Sequence, residues 1–194
     1  VDSSGIYLGG DPVRRLDPDD GTLLAEFATG SANVSAVVLD GGVLYVAGNE
    51  ELLALSATNL SLLWALDTSA PVDNLTLGSG VVFFSVLGEE LVLADQNTGD
   101  LLGTGGQGEV YEAVASVGDV LLAARTDGAL AAFDASDLEP LWEVEGLTPV
   151  WDLAGAGSTA FYAHGGIIEG VALETGGQLW SREFGGDTVS VESL

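Results

Sequence analysis

The stretch ELLALSATNLSLLWAL, residues Glu51–Leu66, holds two short apolar runs on either side of a polar turn. The Leu before its Trp-type position recurs at intervals of 38 or 39 residues, at Leu24, Leu63, Leu102, Leu141 and Leu179. A second position recurs at intervals of 39 or 40 residues, at Leu16, Leu55, Ala94, Phe133 and Leu173. Two independent positions with one period indicate five tandem repeats of a single structural unit.

Each repeat predicts four short β-strands. First strands are expected at 34–39, 72–77, 111–117 and 150–154, and second strands at 6–9, 43–47, 81–86, 120–124 and 160–163. The third and fourth strands flank the polar turn, as in Glu51–Leu66. Runs of four to seven residues rich in β-branched and aromatic side chains, separated by Gly-Gly, Asp-Gly and Thr-Gly, are typical of hairpins.

The repeats predict an all-β fold, a five-bladed β-propeller of four-stranded blades. Residues 188–194 have a first-strand pattern, and the first repeat lacks its own first strand, so we expect the ring to close by joining 188–194 to the N-terminal blade. The predicted blades are 188–194 with 1–30, then 31–70, 71–108, 109–148 and 149–187, in one domain. An excerpt from a longer propeller or an open array is the alternative.

Composition excludes several function classes. Thirty Asp and Glu residues face four Arg and one His, which gives a net charge of −26. Nucleic acids and anionic membranes need a basic footprint, so neither is an expected partner. The hydrophobic content of 47% indicates a folded protein, and the excess of acids without any Lys favours a high-salt environment. No apolar run is long enough to predict membrane insertion.

Cysteine and methionine are both absent, so the chain has neither a disulfide nor a nucleophilic thiol.

The third strand, turn and fourth strand resemble the quinoprotein-type, or PQQ-like, β-propeller repeat. That repeat has a Leu-Asp, a Thr-Gly turn and a Leu-Trp, matched here by Phe133-Asp134 with Leu141-Trp142 and by Leu173-Glu174-Thr175-Gly176 with Leu179-Trp180. The resemblance extends over all five repeats.

The resemblance implies that the Trp of each blade packs between blades and docks on the turn of the next one. This role is expected for Trp64, Trp142 and Trp180. Ala25 and Gly103 stand in the same place in repeats 1 and 3, so two degraded docking sites are expected there. The quinone cofactor, the calcium ion and the vicinal Cys pair of the family's dehydrogenases are not carried over. No cofactor is expected, and calcium is the one alternative left open.

The starts of the first strands should line the mouth of the central channel. They form the candidate ligand or partner face, which consists of Ser35, Asp73, Asn74, Glu112, Trp151 and Asp152. The carboxylates could bind a cation or a polyol, and Trp151 could stack on a sugar. Acids are abundant throughout the chain, however, so a solvated surface is the competing interpretation.

Other motifs give weaker signals. His164 has no second His or Cys beside it in sequence, so a His at a turn or blade edge is the favoured interpretation. Asp17-Pro18-Asp19-Asp20-Gly21 resembles a calcium loop only faintly, because its Gly comes one place early and no Glu stands at the twelfth position. No metal site and no catalytic residue are predicted. The Gly-rich run 103–108 lacks the Lys and the following helix of a phosphate-binding loop.

Three N-x-Ser/Thr triplets, at Asn33, Asn59 and Asn74, indicate possible glycosylation and an extracellular or extracytoplasmic location. The leading functional hypothesis is a noncatalytic propeller that presents a face to a protein partner or takes part in self-assembly. A glycan-binding propeller with Trp151 and Asp152 in a subsite is the alternative. A quinone-dependent enzyme, or a glycosidase using Asp73 and Glu112, is the third hypothesis.

Overall fold

The computed structural model describes residues 5–30, 33–87, 90–106, 108–147 and 149–185. Within these residues, nineteen β-strands form five antiparallel sheets, which we call blades 1 to 5 in chain order. Blade 1 contains three described strands, and each of the other blades contains four. The prediction of an all-β chain with five repeated sheets is therefore confirmed. No helix in this part of the chain is long and apolar enough to cross a membrane.

Each blade is a meander in which consecutive strands are neighbours. Blade 1 consists of β1 (Ile6–Leu8), β2 (Val13–Leu16) and β3 (Leu23–Phe27). Blade 2 consists of β4 (Ala36–Asp40), β5 (Val43–Ala47), β6 (Glu51–Ser56) and β7 (Leu62–Asp67). Blade 3 consists of β8 (Val72–Leu77), β9 (Val81–Val86), β10 (Glu90–Asp95) and β11 (Leu101–Gly105).

Blades 4 and 5 repeat this order. Blade 4 consists of β12 (Tyr111–Val117), β13 (Val120–Arg125), β14 (Leu130–Asp134) and β15 (Pro140–Val144). Blade 5 consists of β16 (Val150–Ala156), β17 (Thr159–His164), β18 (Ile167–Ala172) and β19 (Gln178–Glu183). Tight turns join the strands. Gly41 and Gly42, for example, both have positive φ angles, 53° and 83°, which a two-residue hairpin turn requires.

Successive blades pack face to face through apolar clusters. The second and third strands of blades 2, 3 and 4 are buried on both faces, as their continuous runs of apolar residues require. One cluster joins blades 1 and 2, and further clusters join blades 2 and 3, 3 and 4, and 4 and 5. The innermost strands also contact one another in series, β4 with β8, β8 with β12, and β12 with β16.

A polar bond accompanies the apolar packing at two of these interfaces. The Tyr7 hydroxyl in β1 donates to the Ala57 carbonyl oxygen in the turn of blade 2, at 2.9 Å. The Tyr45 hydroxyl in β5 donates to the Gln96 carbonyl oxygen in the turn of blade 3, at 3.2 Å. These two Tyr residues, and the two carbonyls, hold equivalent repeat positions. Blades 1 and 2 are therefore each hydrogen-bonded to the polar turn of the blade that follows.

Closure of the ring is not shown. The predicted closing strand, 188–194, lies outside the described residues. Within the described part of the chain, none of the apolar clusters joins blade 5 to blade 1. The outer strand β19 of blade 5 is exposed along its whole length, whereas Trp64 in the equivalent strand of blade 2 is buried.

Candidate functional site

The candidate face lies where the inner strands of blades 3, 4 and 5 begin, and a β-bulge distorts each strand at this point. The register of β8 against β9 shifts between Val72 and Leu75, so Asp73 and Asn74 have no Cα partner. The shift in β12 occurs between Tyr111 and Ala113, and the shift in β16 between Val150 and Asp152. The unpaired residues there are Glu112 and Trp151. Bulges re-aim side chains, and the repeat places all three at one level of the inner strands.

Two of the predicted face residues are used to join blades. Ser35 Oγ donates to the Val72 carbonyl oxygen of blade 3 at 2.5 Å and to the Ala47 carbonyl oxygen of its own blade at 3.4 Å. Asn74 Nδ2 donates to the Tyr111 carbonyl oxygen of blade 4 at 3.0 Å. The Asn74 side chain also bonds Ser85 Oγ at 2.9 Å. The face residues Ser35 and Asn74 therefore hold successive inner strands together.

The carboxylates at the bulges are differently placed. Asp73 and Glu112 are exposed residues of β8 and β12. Asp152 is partly buried, and its Oδ1 accepts a hydrogen bond from the Leu153 backbone N–H at 3.0 Å. The side chain of Trp151 lies outside the described part of the structure. Asp73 and Glu112 are therefore the two described acids of this face that project into solvent from neighbouring inner strands.

The faint calcium loop in blade 1 uses its carboxylates to shape a turn. Asp17 Oδ1 accepts from the Asp19 N–H at 2.8 Å, and Asp20 Oδ1 accepts from the Thr22 N–H at 2.9 Å. The latter bond lowers the pKa of Asp20. Among the described residues, no group of three His, Asp or Glu side chains is arranged to hold a metal ion. The predicted absence of a metal or cofactor remains a prediction.

His164 ends β17 and is buried within blade 5. Its ring stacks on Tyr162 with centroids 5.4 Å apart, and its Nε2 lies 3.8 Å from Glu169 Oε2. The Tyr162 hydroxyl donates to Glu169, and burial, followed by this hydrogen bond, raises the pKa of Tyr162. Gln178 Nε2 donates to Glu169 Oε1 at 2.8 Å. Thus His164 stands at the end of β17, directly before the turn at Gly165 and Gly166, and its buried ring belongs to a packed polar cluster.

Two of the three repeat Trp residues dock on the turn of the next blade. Trp64 Nε1 donates to the Gln96 carbonyl oxygen at 3.2 Å, and a Cβ added to Gly99 would lie 2.6 Å from the Trp64 ring. Trp142 repeats this arrangement on blade 5, where a Cβ at Gly176 would lie 2.6 Å from its ring. Its Nε1 donates to the Leu173 carbonyl oxygen at 2.7 Å. In both cases Gly is required because the indole occupies the space of a side chain.

Trp180 packs differently. Its ring lies over Gly170 of its own blade, and its centroid is 5.9 Å from that of Phe161, also in blade 5. The residue is 39% exposed, whereas Trp64 is 9% exposed. Trp180 is therefore an outer-strand Trp that no described residue of another blade covers.

The two interfaces expected to be degraded are filled from the opposite side, which corrects that expectation. Leu60 and Leu138 hold the turn position that is Gly99 in blade 3, and both are buried. Leu60 packs in the cluster that includes Ala25, and Leu138 lies against Gly105 in the strand of Gly103. Both Leu residues adopt left-handed backbones, with φ of 56° and 61°. A Leu from the turn therefore replaces a Trp from the preceding outer strand.

Sequence reasoning missed a cavity between blades 3 and 4. It measures about 560 Å³ and lies beside β11, where Thr104 and Gly105 face the turn and outer strand of blade 4. Phe133 and Trp142 supply apolar lining, and Arg125 supplies a charge. The signal in the sequence was Gly103, which stands where blades 2, 4 and 5 have Trp. Because Gly103 has no side chain, space remains at the interface between blades 3 and 4, and Leu138 fills only part of it.

Arg125 at this cavity is surrounded by acids. Its guanidinium lies 3.2 Å from Glu109 and 2.9 Å from Glu143, and it also bonds Asp127. The bond to Asp127 raises the pKa of Arg125 and lowers the pKa of Asp127. Burial, then the charge of Glu109, raises the pKa of Tyr111 to about 12. These groups form a structural ion cluster beside the cavity.

Comparison with known proteins agrees with this geometry. A family model described as "Outer membrane protein assembly factor BamB" matches residues 9–104 and 74–193. The chain superposes on the computationally designed Ika8 protein with a TM-score of 0.85 and 14% identity, covering 97% of this chain and 61% of that one. It superposes on BamB from Moraxella catarrhalis with a TM-score of 0.73 and 15% identity, covering 93% and 62%.

The chain spans about three fifths of the length of these two structures. Their low identity makes them evidence for the fold alone. No curated protein matches the sequence. The family model, in contrast, covers nearly the whole chain, and the predicted resemblance to PQQ-like repeats is thereby confirmed: the chain belongs to the family of the outer membrane protein assembly factor BamB, whose fold is a β-propeller of PQQ-like repeats.

Proposed function

We propose that this chain is a noncatalytic, extracytoplasmic interaction module that binds a protein partner on the face formed by its inner-strand bulges. The observation that carries this proposal is that some polar residues of the face bond a neighbouring blade while others are exposed to solvent. Ser35 and Asn74 are committed to bonds between blades, whereas Asp73 and Glu112 are exposed at equivalent bulges. Polar groups that the fold does not need are available for a partner.

The family supports a binding role over a catalytic one. Its description names an assembly factor, which acts by contact with other proteins. The fold itself does not decide function, because propellers serve as enzymes and as scaffolds. The acids of the face suit direct ionic contacts with Lys or Arg side chains of a partner.

High salt is part of the proposal. Thirty acids and no Lys keep the surface hydrated while dissolved ions screen the repulsion between carboxylates, since the Debye length falls to about 3 Å at 1 M. The three Asn-x-Ser/Thr triplets are consistent with an extracytoplasmic location. The Asn74 side chain bonds the next blade, so a glycan at Asn74 would break that contact.

Glycan binding is the second candidate, favoured by one observation. Trp151 occupies the bulge position of β16, next to Asp152, and a ring on a bulge can serve as a stacking platform beside a hydrogen-bonding acid. The same position is Glu112 in blade 4, so the aromatic platform is not repeated around the axis. This is why we rank protein binding first.

The closed five-bladed ring predicted from the repeats remains a proposal. Its alternative is an arc that is part of a larger propeller. The exposure of Trp180 and the 61% and 62% coverage of the two solved structures support the arc.

A charge-matched pair of double variants tests the partner face. The first is Asp73→Asn with Glu112→Gln, and the second is Asp119→Asn with Glu174→Gln, which removes two exposed acids elsewhere. The probe is a fluorescent ten-residue Lys/Arg-rich peptide, with fluorescence anisotropy as the measurement in dilute and in concentrated NaCl. Because exposed ion pairs contribute up to about 1 kcal/mol each, the first variant should bind about 2- to 10-fold more weakly in dilute salt.

The second variant should keep affinity close to that of the parent chain. Equal weakening in both variants would mean that the peptide senses only the overall charge, and the proposed face would be wrong. A panel of neutral oligosaccharides tested with Trp151→Ala addresses the glycan candidate, which requires binding that this substitution removes.

A further inference from the structure

Blade 3 lacks two side chains at its joint with blade 4, where a joint is the contact between the outer strand of one blade and the blade that follows. Blades 2, 4 and 5 have Trp at the position of Gly103. At the position of Gly105 they have Leu66, Val144 and Arg182. Residues two apart in a strand share a face, so both glycines belong to the face of β11 that meets blade 4. That face therefore offers backbone where the other blades offer large side chains.

The turn of blade 4 covers only one of these glycines. A Cβ added to Gly105 would lie 2.9 Å from Leu138 Cβ. No described atom lies within 4 Å of the place of a Cβ on Gly103. The residues that follow Gly103, Thr104 and Gly105, line the cavity of about 560 Å³ between the two blades. Ligand pockets of proteins measure about 300–1,000 Å³, so the cavity has room for an aromatic side chain.

The blade 4 side of the cavity is apolar. Ala131, Phe133 and Leu138 line it, and each of them is buried. Leu141 lines it as well and is 47% exposed. An apolar group that displaces water from such a wall gains free energy, and the Phe133 ring can also pair with a second ring. An aromatic group gains most, because it combines both contributions.

The charged lining of the same cavity is mostly acidic. It consists of one base, Arg125, and four acids, Glu109, Asp137, Glu139 and Glu143. Arg125 lies 3.2 Å from Glu109 and 2.9 Å from Glu143, so its charge is balanced within the structure. Asp137 and Glu139 are exposed acids of the turn before β15. They favour a Lys or Arg beside the bound ring and disfavour an acid there.

We propose that this cavity is a second binding site, which takes a Trp from a partner polypeptide in which Lys or Arg flanks the Trp. The indole lies against Phe133 and Leu138 and fills the open place beside Gly103. The flanking base pairs with Asp137 or Glu139. The cavity is lined mainly by β11 and by the turn and outer strand of blade 4, so the site does not depend on the proposed inner-strand face. The two proposals share only a protein partner.

Three fluorescent ten-residue peptides of Gly and Ser test the combination of ring and charge, with Lys-Trp-Lys, Lys-Ala-Lys or Glu-Trp-Glu at the centre. Fluorescence anisotropy with the parent chain in dilute NaCl gives the three dissociation constants. Lys-Trp-Lys should bind at least about tenfold more tightly than Lys-Ala-Lys, because it buries an aromatic ring. Glu-Trp-Glu should also bind more weakly than Lys-Trp-Lys. Equal binding of Lys-Trp-Lys and either of the other peptides would overturn the proposal.

Gly103→Leu tests the place of the ring. The new side chain extends into the open place, so the affinity for Lys-Trp-Lys should fall at least about fivefold, while that for Lys-Ala-Lys stays unchanged. Leu102→Val is the control, since Leu102 is an exposed neighbour outside the cavity lining, and it should keep the affinities of the parent chain. Circular dichroism verifies the fold of both variants. An unchanged preference for Trp in folded Gly103→Leu would show that the ring binds elsewhere.

Glu139→Gln tests the charge, and Glu174→Gln, at an exposed acid of blade 5, is its control. Loss of one exposed ion pair should weaken binding of Lys-Trp-Lys about 2- to 5-fold, and the control should change nothing. Equal weakening by both would reduce the effect to overall charge and contradict the site. The double variant Asp73→Asn with Glu112→Gln should keep the preference for Trp over Ala. If that preference were lost, the indole would bind at the inner-strand face, and the cavity would be the wrong site.

The parent chain gives two further readouts, which decide the matter if Gly103→Leu does not fold. A benzophenone in place of the Trp of the peptide should cross-link within residues 103–106 or 131–141, as located by mass spectrometry. Cross-links confined to other residues would contradict the site. Sedimentation should find the parent chain monomeric. A dimer that Trp180→Ala dissociates, and that excludes the peptide, would mean that the exposed Trp180 of a second copy fills the cavity, and the proposal of a foreign partner would fall.

Discussion

At the scale of single residues, a Trp of one blade packs on a Gly in the turn of the next blade, as Trp64 packs on Gly99. Gly99 and Gly21 have φ of +75° and +74° at the same repeat position, but only Gly99 lies under an indole. An L-residue at such a φ costs about 1 kcal/mol from its backbone alone. A methyl group pressed into the Trp64 ring adds an overpacking penalty, since packed interiors do not yield to an extra carbon.

The matched substitutions Gly99→Ala and Gly21→Ala separate these two costs. We expect Gly21→Ala to lower the free energy of unfolding by about 1 kcal/mol, and Gly99→Ala by about 2–4 kcal/mol. Urea unfolding monitored by circular dichroism measures both. Equal losses would show either that Trp64 does not dock on Gly99 or that another Trp already sits on Gly21.

The blade is the element at which sequence and structure can be compared. Observed β8 (Val72–Leu77), β9 (Val81–Val86) and β5 (Val43–Ala47) have the bounds predicted from the apolar runs. This accuracy follows from the Gly and Asp turns that punctuate every repeat. The inner-strand bulges could not be predicted. They depend on pairing between strands, and Asp73 and Glu112 look like ordinary strand residues when the sequence is read one strand at a time.

The filling of the small-residue joints was also beyond prediction, because it depends on two neighbouring blades. Gly103 in blade 3 suggested a lost contact, yet Leu138 in blade 4 supplies part of the missing volume. A turn Leu with φ of 61° is an unusual choice that only this role explains. Comparing each outer-strand residue with the turn of the following repeat would have revealed this relation from the sequence alone: Trp is paired with Gly, and a small residue is paired with Leu.

A double-mutant cycle tests this exchange of partners. Leu138→Gly removes a buried side chain and should cost about 2–5 kcal/mol, and Gly103→Trp alone should cost about 1–3 kcal/mol by overpacking. The double variant recreates the Trp–Gly joint of blades 2 and 3, so its loss should be smaller than the sum of the two by at least about 1 kcal/mol. If the double variant lost as much free energy of unfolding as the two single variants together, the introduced Trp would not pack on the introduced Gly as Trp64 packs on Gly99. Thermal unfolding of the four chains provides the measurement.

Whether the five blades close into a ring or form an arc is a property of the whole molecule that the repeats alone could not give. A repeat period sets the size of each blade, but the angle between neighbouring blades depends on how bulky side chains pack at the interface between them. The sequence predicted five blades and a closed ring; the described residues confirm the five sheets in series, and closure of the ring stays a prediction. The proposed partner face lies on the inner strands, which the packing between blades holds in place.

The distances between blades can be measured directly, because one exposed Leu recurs at the same place in every blade. These residues are Leu24, Leu63, Leu102, Leu141 and Leu179. Pairs of Cys substitutions at these positions accept spin labels without competition, since the chain has no Cys of its own. Pulsed electron paramagnetic resonance then gives the separation of any two blades. The pair at 24 and 63 reports on adjacent blades, and the pair at 24 and 179 reports on the first and last.

In an arc that is part of a larger ring, for example one of eight blades, the separation from position 24 rises steadily through positions 63, 102, 141 and 179. The last distance should be about 2.6 times the first, because blades 1 and 5 then lie on opposite sides of the axis. In a closed five-bladed ring, blades 1 and 5 are neighbours, so the 24–179 distance would equal the 24–63 distance. A ratio near 1 would contradict the account.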